Sequence, residues 1–397
     1  MSTSRIARRL ASSSSVSSGQ SSAPRKIVLV GAGFLGSYIA RALVADPRNR
    51  VQLVSRHPQA LYDRLSPLGS QILPPKSADI TSPDLAPLES ALEGASAVVS
   101  LAGVLVGSEK KMVAVQQEGA ERVARTAKKV GAGRLVLISA IGADKGGVTA
   151  YWRTKAAAEE TFLQTDPTAT IIRPSIIFGP GDSFFTLLTA IPQRFATLAK
   201  WLPFLPVFGG GITRFQPVYA GDVARAVEIC CRDDPEVVKQ VGGKIVEAGG
   251  PDVFTYREIM ELVLRYSGLQ GRRLILSLPF WLGTTQAFFL EKLPETIFTL
   301  TRDQVTQLRS DNIVSPVPPL NALSFEKLLA AFPSSLPSSQ PGTAGLTSVH
   351  KVLPTYLGPA KGVEQGKRTH GRGSAMNQLA DVQRTTRRAE EVKGKSQ

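Results

Sequence analysis

The chain has 397 residues, of which 43% are hydrophobic and 20% are charged, and its formal net charge at pH 7 is +15. That length and apolar content suffice for one large or two smaller folded domains, whereas no apolar run is long enough to cross a membrane as a helix. Residues 1–26 and 361–397 each contribute a net charge of +5, so the basic excess lies mostly in the ends. Since no alternation of basic and aromatic residues accompanies it, the sequence predicts no nucleic-acid partner.

The first 25 residues are predicted to be a mitochondrial targeting segment. They are rich in serine and arginine, and the first acidic residue of the chain is Asp46. This composition is typical of a transit peptide, whereas a secretory signal would need an apolar stretch that residues 12–22 do not provide. A disordered N-terminal tail is the alternative interpretation.

The cysteines and histidines predict neither a disulfide nor a metal site. Cys230 and Cys231 are adjacent, which places them poorly for bonding to each other, and a reducing compartment such as the mitochondrial matrix fits them. No metal-ligand spacing links the three histidines, which are His57, His350 and His370.

From residue 26 onward, short apolar runs alternate with helical stretches, which predicts a doubly wound α/β fold. The runs are KIVLVGAG, VQLVSR, ASAVVSLAG and GRLVLISA. Continuous rather than alternating apolar strands are typical of a parallel sheet that helices cover on both faces. We therefore expect a Rossmann-type core over residues 26–180.

After the core, the chain becomes richer in proline, phenylalanine and tryptophan, and we expect a smaller C-terminal α/β lobe over residues 181–330, interleaved with the core. One helix of this lobe is well marked, because Thr255 and Glu258 form a capping box before it and Gly268 suits its C-terminal end. Residues 331–397 hold a Pro/Ser-rich stretch followed by a basic one, and they are predicted to be a disordered tail.

The turn between the first strand and the first helix has the spacing of a dinucleotide-binding motif. Its glycines are Gly31, Gly33 and Gly36, and Phe34 and Leu35 lie between the last two. Such glycines allow a tight turn and a close approach of the backbone to a pyrophosphate, toward which the helix N-terminus points free N–H groups. Because a strand precedes the motif and a helix follows it, we expect these residues to bind NAD(P)(H).

The end of the second strand indicates which nucleotide is preferred. A carboxylate at this place would bond the ribose 2′-hydroxyl of NAD, but the sequence has Ser55 and Arg56. A hydroxyl and a guanidinium can bind a 2′-phosphate, so NADP(H) is favoured over NAD(H). The alternative is that Arg56 is a solvated loop residue.

Tyr151 and Lys155 are candidates for the chemical step. They lie four residues apart at the start of a predicted helix and therefore share one face. An ammonium close to a phenol lowers the pKa of the phenol, which would make Tyr151 a usable general acid or base.

These motifs together resemble an extended or atypical short-chain dehydrogenase/reductase over roughly residues 26–325. The motifs are VGAGFLG, ADI, SLAG, YWRTK and RPSIIFGPGD. Within that superfamily, AGGPDVFTYREI and TRDQVTQLRSDNIV are similar to the accessory subunit of this type in mitochondrial respiratory complex I. The resemblance implies a nucleotide bound in the Rossmann core, and respiratory-chain or ubiquinone-biosynthesis subunits as partners.

The resemblance also assigns roles to further residues. It implies that Asp79 and Ile80 lie near the adenine, and that the loop Leu101, Ala102 and Gly103 runs along the cofactor. It further implies that Lys155 binds the nicotinamide ribose and that Pro174 and Ile177 lie beside the nicotinamide.

The sequence departs from the family pattern at the catalytic hydroxyl. Ala140 stands where that hydroxyl usually falls. Ser139, one residue earlier, is kept with Tyr151 and Lys155 as a catalytic candidate, although strand alternation should point it to the other face of the sheet unless the strand end bends. Gln116 replaces an asparagine that relays protons in many members. Losing a group that stabilises a developing oxyanion costs roughly 10²–10³ in rate in other enzymes, so whether the chain is an enzyme stays open.

The sequence is consistent with two functions. The first is a matrix-side accessory or assembly component of complex I, or of a ubiquinone-linked complex, with NADP(H) as a structural cofactor. The second is an active NADP-dependent oxidoreductase on a lipidic or quinone-like carbonyl substrate in ubiquinone biosynthesis. The apolar stretch LILSLPFWLGTTQAFFLEKL is either ordinary core or a contact for the inner-membrane surface, a partner or a substrate tail.

Overall fold

The computed structural model describes residues 23–105, 107–186, 204–267, 274–290, 302–332 and 345–357. The strands are β1 (Arg25–Val30), β2 (Asn49–Ser55), β3 (Lys76–Ser77), β4 (Ala95–Ser100), β5 (Arg134–Ile138), β6 (Thr170–Pro174), β7 (Ile177–Phe178), β8 (Phe204–Phe208), β9 (Arg214–Phe215), β10 (Val218–Tyr219), β11 (Ile245–Ala248), β12 (Phe254–Thr255) and β13 (Leu274–Leu278).

The helices follow the same chain order. They are α1 (Phe34–Leu43), α2 (Gln59–Leu65), α3 (Ala86–Leu92), α4 (Glu109–Met112), α5 (Gly119–Lys129), α6 (Ala150–Thr165), α7 (Ala220–Cys230), α8 (Pro235–Val241), α9 (Tyr256–Tyr266), α10 (Phe280–Leu290), α11 (Arg302–Gln307), α12 (Phe325–Ala331) and α13 (Val349–Tyr356). A π-helical turn, Val113–Glu118, joins α4 to α5.

A seven-stranded sheet organises the molecule, in the order β11-β6-β5-β4-β1-β2-β3. Each neighbouring pair in it is parallel, as expected when helical crossovers connect the strands. The strand order reverses between β1 and β4, and ligands of such sheets bind in the crevice that this reversal leaves at the carboxyl ends. The predicted doubly wound α/β fold is confirmed.

The strands are apolar throughout because both faces of the sheet are buried. In β1, Ile27 and Leu29 belong to one core cluster, whereas Val28 and Val30 belong to the cluster on the opposite face. Alternate side chains of a strand point to opposite faces, so a sheet with helices on both sides needs apolar residues at every position.

The C-terminal lobe has a third core cluster of its own. Phe178, Ile259 of α9 and Leu353 of α13 are fully buried members of it. The predicted capping box is confirmed, since the Thr255 hydroxyl accepts from the backbone N–H of Glu258 and the Glu258 carboxylate accepts from that of Thr255. Gly268, the predicted end of α9, lies outside the described residues.

The structure corrects two predicted boundaries. Residues 345–357 are not a disordered tail, because Val349 and Leu353 of α13 recur at helical spacing and are buried in the lobe. The targeting segment was predicted to reach residue 25, but β1 begins at Arg25, whose buried guanidinium donates to the carbonyl of Cys231. Residues 1–22, 333–344 and 358–397 lie outside the described residues, so the other predictions for the two ends stay predictions.

Both cysteines are free and buried, and burial raises the pKa of the Cys230 thiol to about 12. In the part of the chain that the structure describes, no helix is both long and apolar enough to span a bilayer.

Candidate nucleotide-binding site

The predicted site residues meet at the carboxyl ends of the central strands. The glycine-rich turn follows β1, the loop of residues 101–103 follows β4, and α6 packs over the end of β5. Two backbone hydrogen bonds fix the start of this crevice, from Gly31 N–H to the carbonyl of Val54 (2.8 Å) and from Leu101 N–H to that of Val30 (2.8 Å).

Gly31 is required by its backbone and by its neighbour. Its φ is +77°, a conformation that side chains other than glycine rarely adopt. A Cβ at this position would lie 2.8 Å from the backbone of Ala102, so only a glycine lets the turn after β1 pack against the loop after β4. The two loops that the resemblance assigns to the cofactor are therefore in contact.

The first turn of α1 is open where a pyrophosphate would bind. Gly33 is the N-cap residue, no side chain caps the helix, and a Cβ at Gly33 would meet no atom within 4 Å. Free N–H groups at a helix N-terminus attract phosphate oxygens, and the open space beside Gly33 admits them. The residues present therefore fit a dinucleotide.

Two buried polar atoms also fit a ligand at this place. A Cβ at Gly103 would lie 3.1 Å from the Nζ atom of Lys155 and 3.3 Å from the Oε1 atom of Gln116, so both atoms converge on the loop after β4. The Gln116 amide donates to Thr154 (2.9 Å), but its Oε1 atom has no hydrogen-bond partner among the described residues. A buried acceptor without a partner is costly, and a ribose hydroxyl is a suitable donor for it.

The end of β2 presents Ser55 half-buried and Arg56 exposed to solvent. The side chain of Ser77 donates to the carbonyl of Arg56 (3.0 Å), which fixes the backbone there. Asp79 accepts from the backbone and the hydroxyl of Thr81, and these bonds lower the pKa of its carboxyl, with a smaller contribution from the Arg56 charge. Ile80 packs on Gly119 of α5, so Asp79 and Ile80 form a fixed loop between β3 and α3.

The expected effect of Lys155 on Tyr151 is wrong. The Lys155 ammonium donates to the carbonyl of Ile138 (3.0 Å), and burial lowers its pKa to about 8. Burial also raises the pKa of Tyr151 to about 12 rather than lowering it. At neutral pH the phenol stays protonated, so Tyr151 is suited to donate a proton and poorly suited to accept one.

Ser139 does not stand in for the missing catalytic hydroxyl. Its side chain is buried and donates to the carboxylate of Glu159, which is in turn paired with Arg173 (2.9 and 2.6 Å). Ala140, at the position where the resemblance implies the catalytic hydroxyl, is buried. Ala140 therefore offers a methyl group at that position, and the adjacent Ser139 is bonded to an ion-pair network.

The two residues that the resemblance implies beside the nicotinamide lie at the end of β6 and the start of β7. Pro174, the last residue of β6, accepts from the backbone N–H of Ile141 (3.0 Å), and Ile177 of β7 pairs with Val218. Between them Ser175 donates to the Asn312 carbonyl (2.9 Å), so the segment after α11 contacts the chain between β6 and β7.

Sequence reasoning missed one contact at the start of α6. The Asp303 carboxylate of α11 accepts from the backbone N–H of Ala150 (3.1 Å), the residue before Tyr151. Asp303 belongs to the stretch TRDQV, which carries the resemblance, but a separation of 153 residues gives no local pattern from which the contact could have been found.

The described residues contain no group of three or more His, Cys, Asp and Glu side chains arranged to hold a metal ion.

Comparison with known proteins defines the class. Residues 31–182 match a family model described as NAD(P)H-binding. The solved structure of MoeE5 in complex with UDP-glucose and NAD has a similar fold, with a TM-score of 0.54 and 18% identity over 84% of this chain and 97% of that one. Together with the sheet order, these findings define an NAD(P)-binding Rossmann fold of the short-chain dehydrogenase/reductase type.

The relatives in sequence define the family. NADH dehydrogenase (ubiquinone) 1 alpha subcomplex subunit 9, mitochondrial, of Arabidopsis thaliana is 32% identical over 299 residues, 68% of this chain and 70% of that protein. Ceramide reductase of Caulobacter vibrioides is 29% identical over 248 residues, 62% of this chain and 72% of that protein. The chain belongs to the family of NADH dehydrogenase (ubiquinone) 1 alpha subcomplex subunit 9, which confirms the resemblance drawn from its motifs.

Proposed function

We propose that the chain is a mitochondrial accessory or assembly component of respiratory complex I, or of a ubiquinone-linked complex, and that it binds NADP(H) as a structural cofactor. Membership of the subunit 9 family supports the assignment to complex I. The nucleotide stabilises the fold by mass action, because the folded chain binds it and the unfolded chain does not.

One observation supports a structural role for the nucleotide. The residues expected to hold the cofactor are preserved, whereas the hydroxyl expected to activate a substrate is not. Gly31 and Gly33 leave the turn after β1 open to a pyrophosphate, and the Lys155 ammonium lies beside Gly103 of the loop after β4, which supports nucleotide binding. Ala140 replaces the activating hydroxyl, and Ser139 is bonded to Glu159. Such a site can retain a nucleotide while doing little to activate a carbonyl group.

The preference for NADP(H) rests on Ser55 and Arg56 and gives a testable prediction. Because a hydrogen bond to a charged group contributes about 1.5–3 kcal/mol, we expect Arg56→Ala to weaken NADPH binding by roughly 10- to 100-fold and to leave NADH binding nearly unchanged. Calorimetric titration with both nucleotides measures this. The matched control is Arg125→Ala on α5, an exposed arginine that pairs with Glu121 on the same helix. Equal losses for both nucleotides in Arg56→Ala would contradict the preference.

We place the protein on the matrix side of the inner membrane. The targeting composition and the free buried cysteines support a reducing matrix location. Part of the apolar stretch lies at the surface, since Leu274 of β13 is 73% exposed and Trp281 of α10 is 63% exposed, with Leu276 and Leu282 also exposed. An exposed tryptophan among leucines suits a peripheral contact with the membrane surface.

An active oxidoreductase is the second candidate, and one observation favours it. Tyr151 is present, and its phenol remains protonated at neutral pH, as a proton donor to a carbonyl oxygen should be. A reduced nicotinamide, when bound, supplies the hydride. The similarity to a ceramide reductase supports a lipidic or quinone-like carbonyl as the substrate class.

One experiment separates the two functions. Bound nucleotide is extracted from the purified full chain and identified by mass. In a second sample of the intact protein, the oxidation of bound NADPH is followed after quinones and simple carbonyls are added. We expect NADPH that stays bound and is not oxidised. Oxidation that disappears in Tyr151→Phe would overturn the structural role and establish the enzyme. Co-migration of the native protein with a large inner-membrane complex tests the accessory role separately.

A further inference from the structure

The C-terminal helix α13 is held to the body of the protein by hydrogen bonds at both ends. At its start, the backbone and hydroxyl of Thr347 donate to the buried carboxylate of Asp222 (2.7 and 3.2 Å), and Tyr266 bonds the ring of His350 (2.9 Å). At its end, the hydroxyl of Tyr356 donates to the carboxylate of Asp182.

Asp182 is the centre of the second attachment. Its carboxylate is buried and accepts from the backbone N–H groups of Gly179 (3.1 Å) and Phe185 (2.7 Å) besides the Tyr356 hydroxyl. A buried carboxylate needs its donors, so the Tyr356 hydroxyl fixes the loop of residues 179–182 as well as the helix that carries it.

The same loop is held from its other side by α1. Tyr38 donates to the carbonyl of Pro180 (3.0 Å), and a Cβ at Gly181 would lie 3.7 Å from the ring of Phe34. The rings of Phe34 and Tyr38 are themselves in edge contact, with centroids 5.3 Å apart. Phe34 is the first residue of α1 and follows Gly33, where the pyrophosphate is expected to bind.

We propose that nucleotide binding at the glycine-rich turn and docking of α13 are energetically coupled through the loop of residues 179–182. This inference rests on the proposed nucleotide site. A ligand that fixes the first turn of α1 also fixes Phe34 and Tyr38, which position the loop that accepts Tyr356. Because such coupling is reciprocal, release of α13 weakens nucleotide binding by the same factor.

Hydrogen–deuterium exchange of the full chain, with and without NADPH, tests the coupling. We expect NADPH to slow amide exchange both at residues 31–36 and at residues 349–357, the latter by at least about fivefold. Tyr356→Phe and Tyr38→Phe each remove a hydroxyl that bonds the loop of residues 179–182, one from α13 and one from α1. In both variants we expect NADPH no longer to slow exchange at residues 349–357, and NADPH affinity to fall by about the factor by which NADPH slows that exchange in the wild-type chain. Unchanged exchange of β4 in each variant shows that the fold is intact.

Tyr266→Phe is the matched control, since it removes one hydroxyl that holds α13 without touching the loop. This variant should keep the nucleotide-dependent slowing at 349–357. Loss of the slowing in Tyr266→Phe, or its absence in the wild-type chain while residues 31–36 are protected, overturns the coupling and leaves the nucleotide site standing. Absence of protection at both places, with no bound nucleotide, overturns the proposed function and the coupling together.

Discussion

Burial and charge oppose each other most directly at Lys155. The ammonium is buried against the carbonyl of Ile138, and burial lowers its pKa to about 8, while the carboxylate of Glu159 opposes that shift. A neutral amine has lost the charge that strengthens hydrogen bonds to ribose and phosphate oxygens. If Lys155 binds the nucleotide as the resemblance implies, we expect its protonated fraction to set how tightly the site holds NADPH.

We expect the affinity for NADPH to fall as the pH rises past about 8. The pKa of Lys155 in the folded protein lies below that of a free lysine, so the ammonium that binds is lost at about pH 8 instead of near 10.5. If only the protonated form binds, the dissociation constant rises by about thirtyfold between roughly pH 7 and 9.5. Fluorescence titration of NADPH at each pH measures the change.

Lys155→Met is the control for this pH dependence. It keeps an apolar stem of similar length but has no titrating group, so its weaker binding should be nearly independent of pH over the same range. If the dissociation constant of NADPH changed with pH by the same factor in the wild-type protein and in Lys155→Met, the pH dependence would belong to another group.

At the scale of the element, α6 begins with two caps from different parts of the chain. The hydroxyl of Thr149 accepts from the backbone N–H of Trp152 (3.3 Å), and the Asp303 carboxylate of α11 accepts from that of Ala150 (3.1 Å). A negative charge at a helix N-terminus is favourable. Asp303 thus ties α11 to the turn that carries Tyr151.

We expect Asp303→Ala to lower the free energy of unfolding by about 1 kcal/mol, the usual cost of losing a cap. Asp303→Asn, which keeps an acceptor and loses the charge, should recover most of that loss. Chemical denaturation measures both values. Glu121→Ala serves as the control, because this half-buried carboxylate pairs with the exposed Arg125 on the same helix. Equal values for Asp303→Ala and the control would show that the cap contributes nothing.

At the scale of the whole molecule, a buried ion-pair network joins the sheet to α6. Arg173 of β6 pairs with Glu159 of α6 (2.6 Å) and with Glu247 of β11 (3.6 Å). Ser139 donates to Glu159, and the backbone and hydroxyl of Ser315 donate to Glu247. The network therefore links the edge of the sheet, the helix of Tyr151 and the segment that follows α11.

Arg173→Met should be strongly destabilising, because it leaves two buried carboxylates without their cation. The expected loss in free energy of unfolding is about 3–5 kcal/mol. Arg214→Met is the matched control, since Arg214 pairs with Asp311 at the surface (2.6 Å) and exposed pairs contribute at most about 1 kcal/mol. Chemical denaturation of both variants checks the difference, and a loss below about 1 kcal/mol in Arg173→Met would refute a structural role for the network.

Several features of the protein were determined by its sequence alone. The apolar strands required a sheet buried on both faces, and the glycines of the first turn marked the nucleotide crevice, because strand and turn preferences are local. The capping box at Thr255 and Glu258 was predictable for the same reason. The motifs also sufficed to recognise the family.

The state of the chemical groups depends on contacts between segments that are distant in the sequence. The partner of Ser139 lies 20 residues away, and the cap supplied by Asp303 lies 153 residues from Ala150. Helical spacing placed Lys155 near Tyr151, but burial set both pKa values and turned the ammonium toward Ile138. The docking of α13 likewise depends on distant partners, since Thr347 and Tyr356 bond Asp222 and Asp182. Contacts between distant segments decide which side chains lose water and which groups they bond.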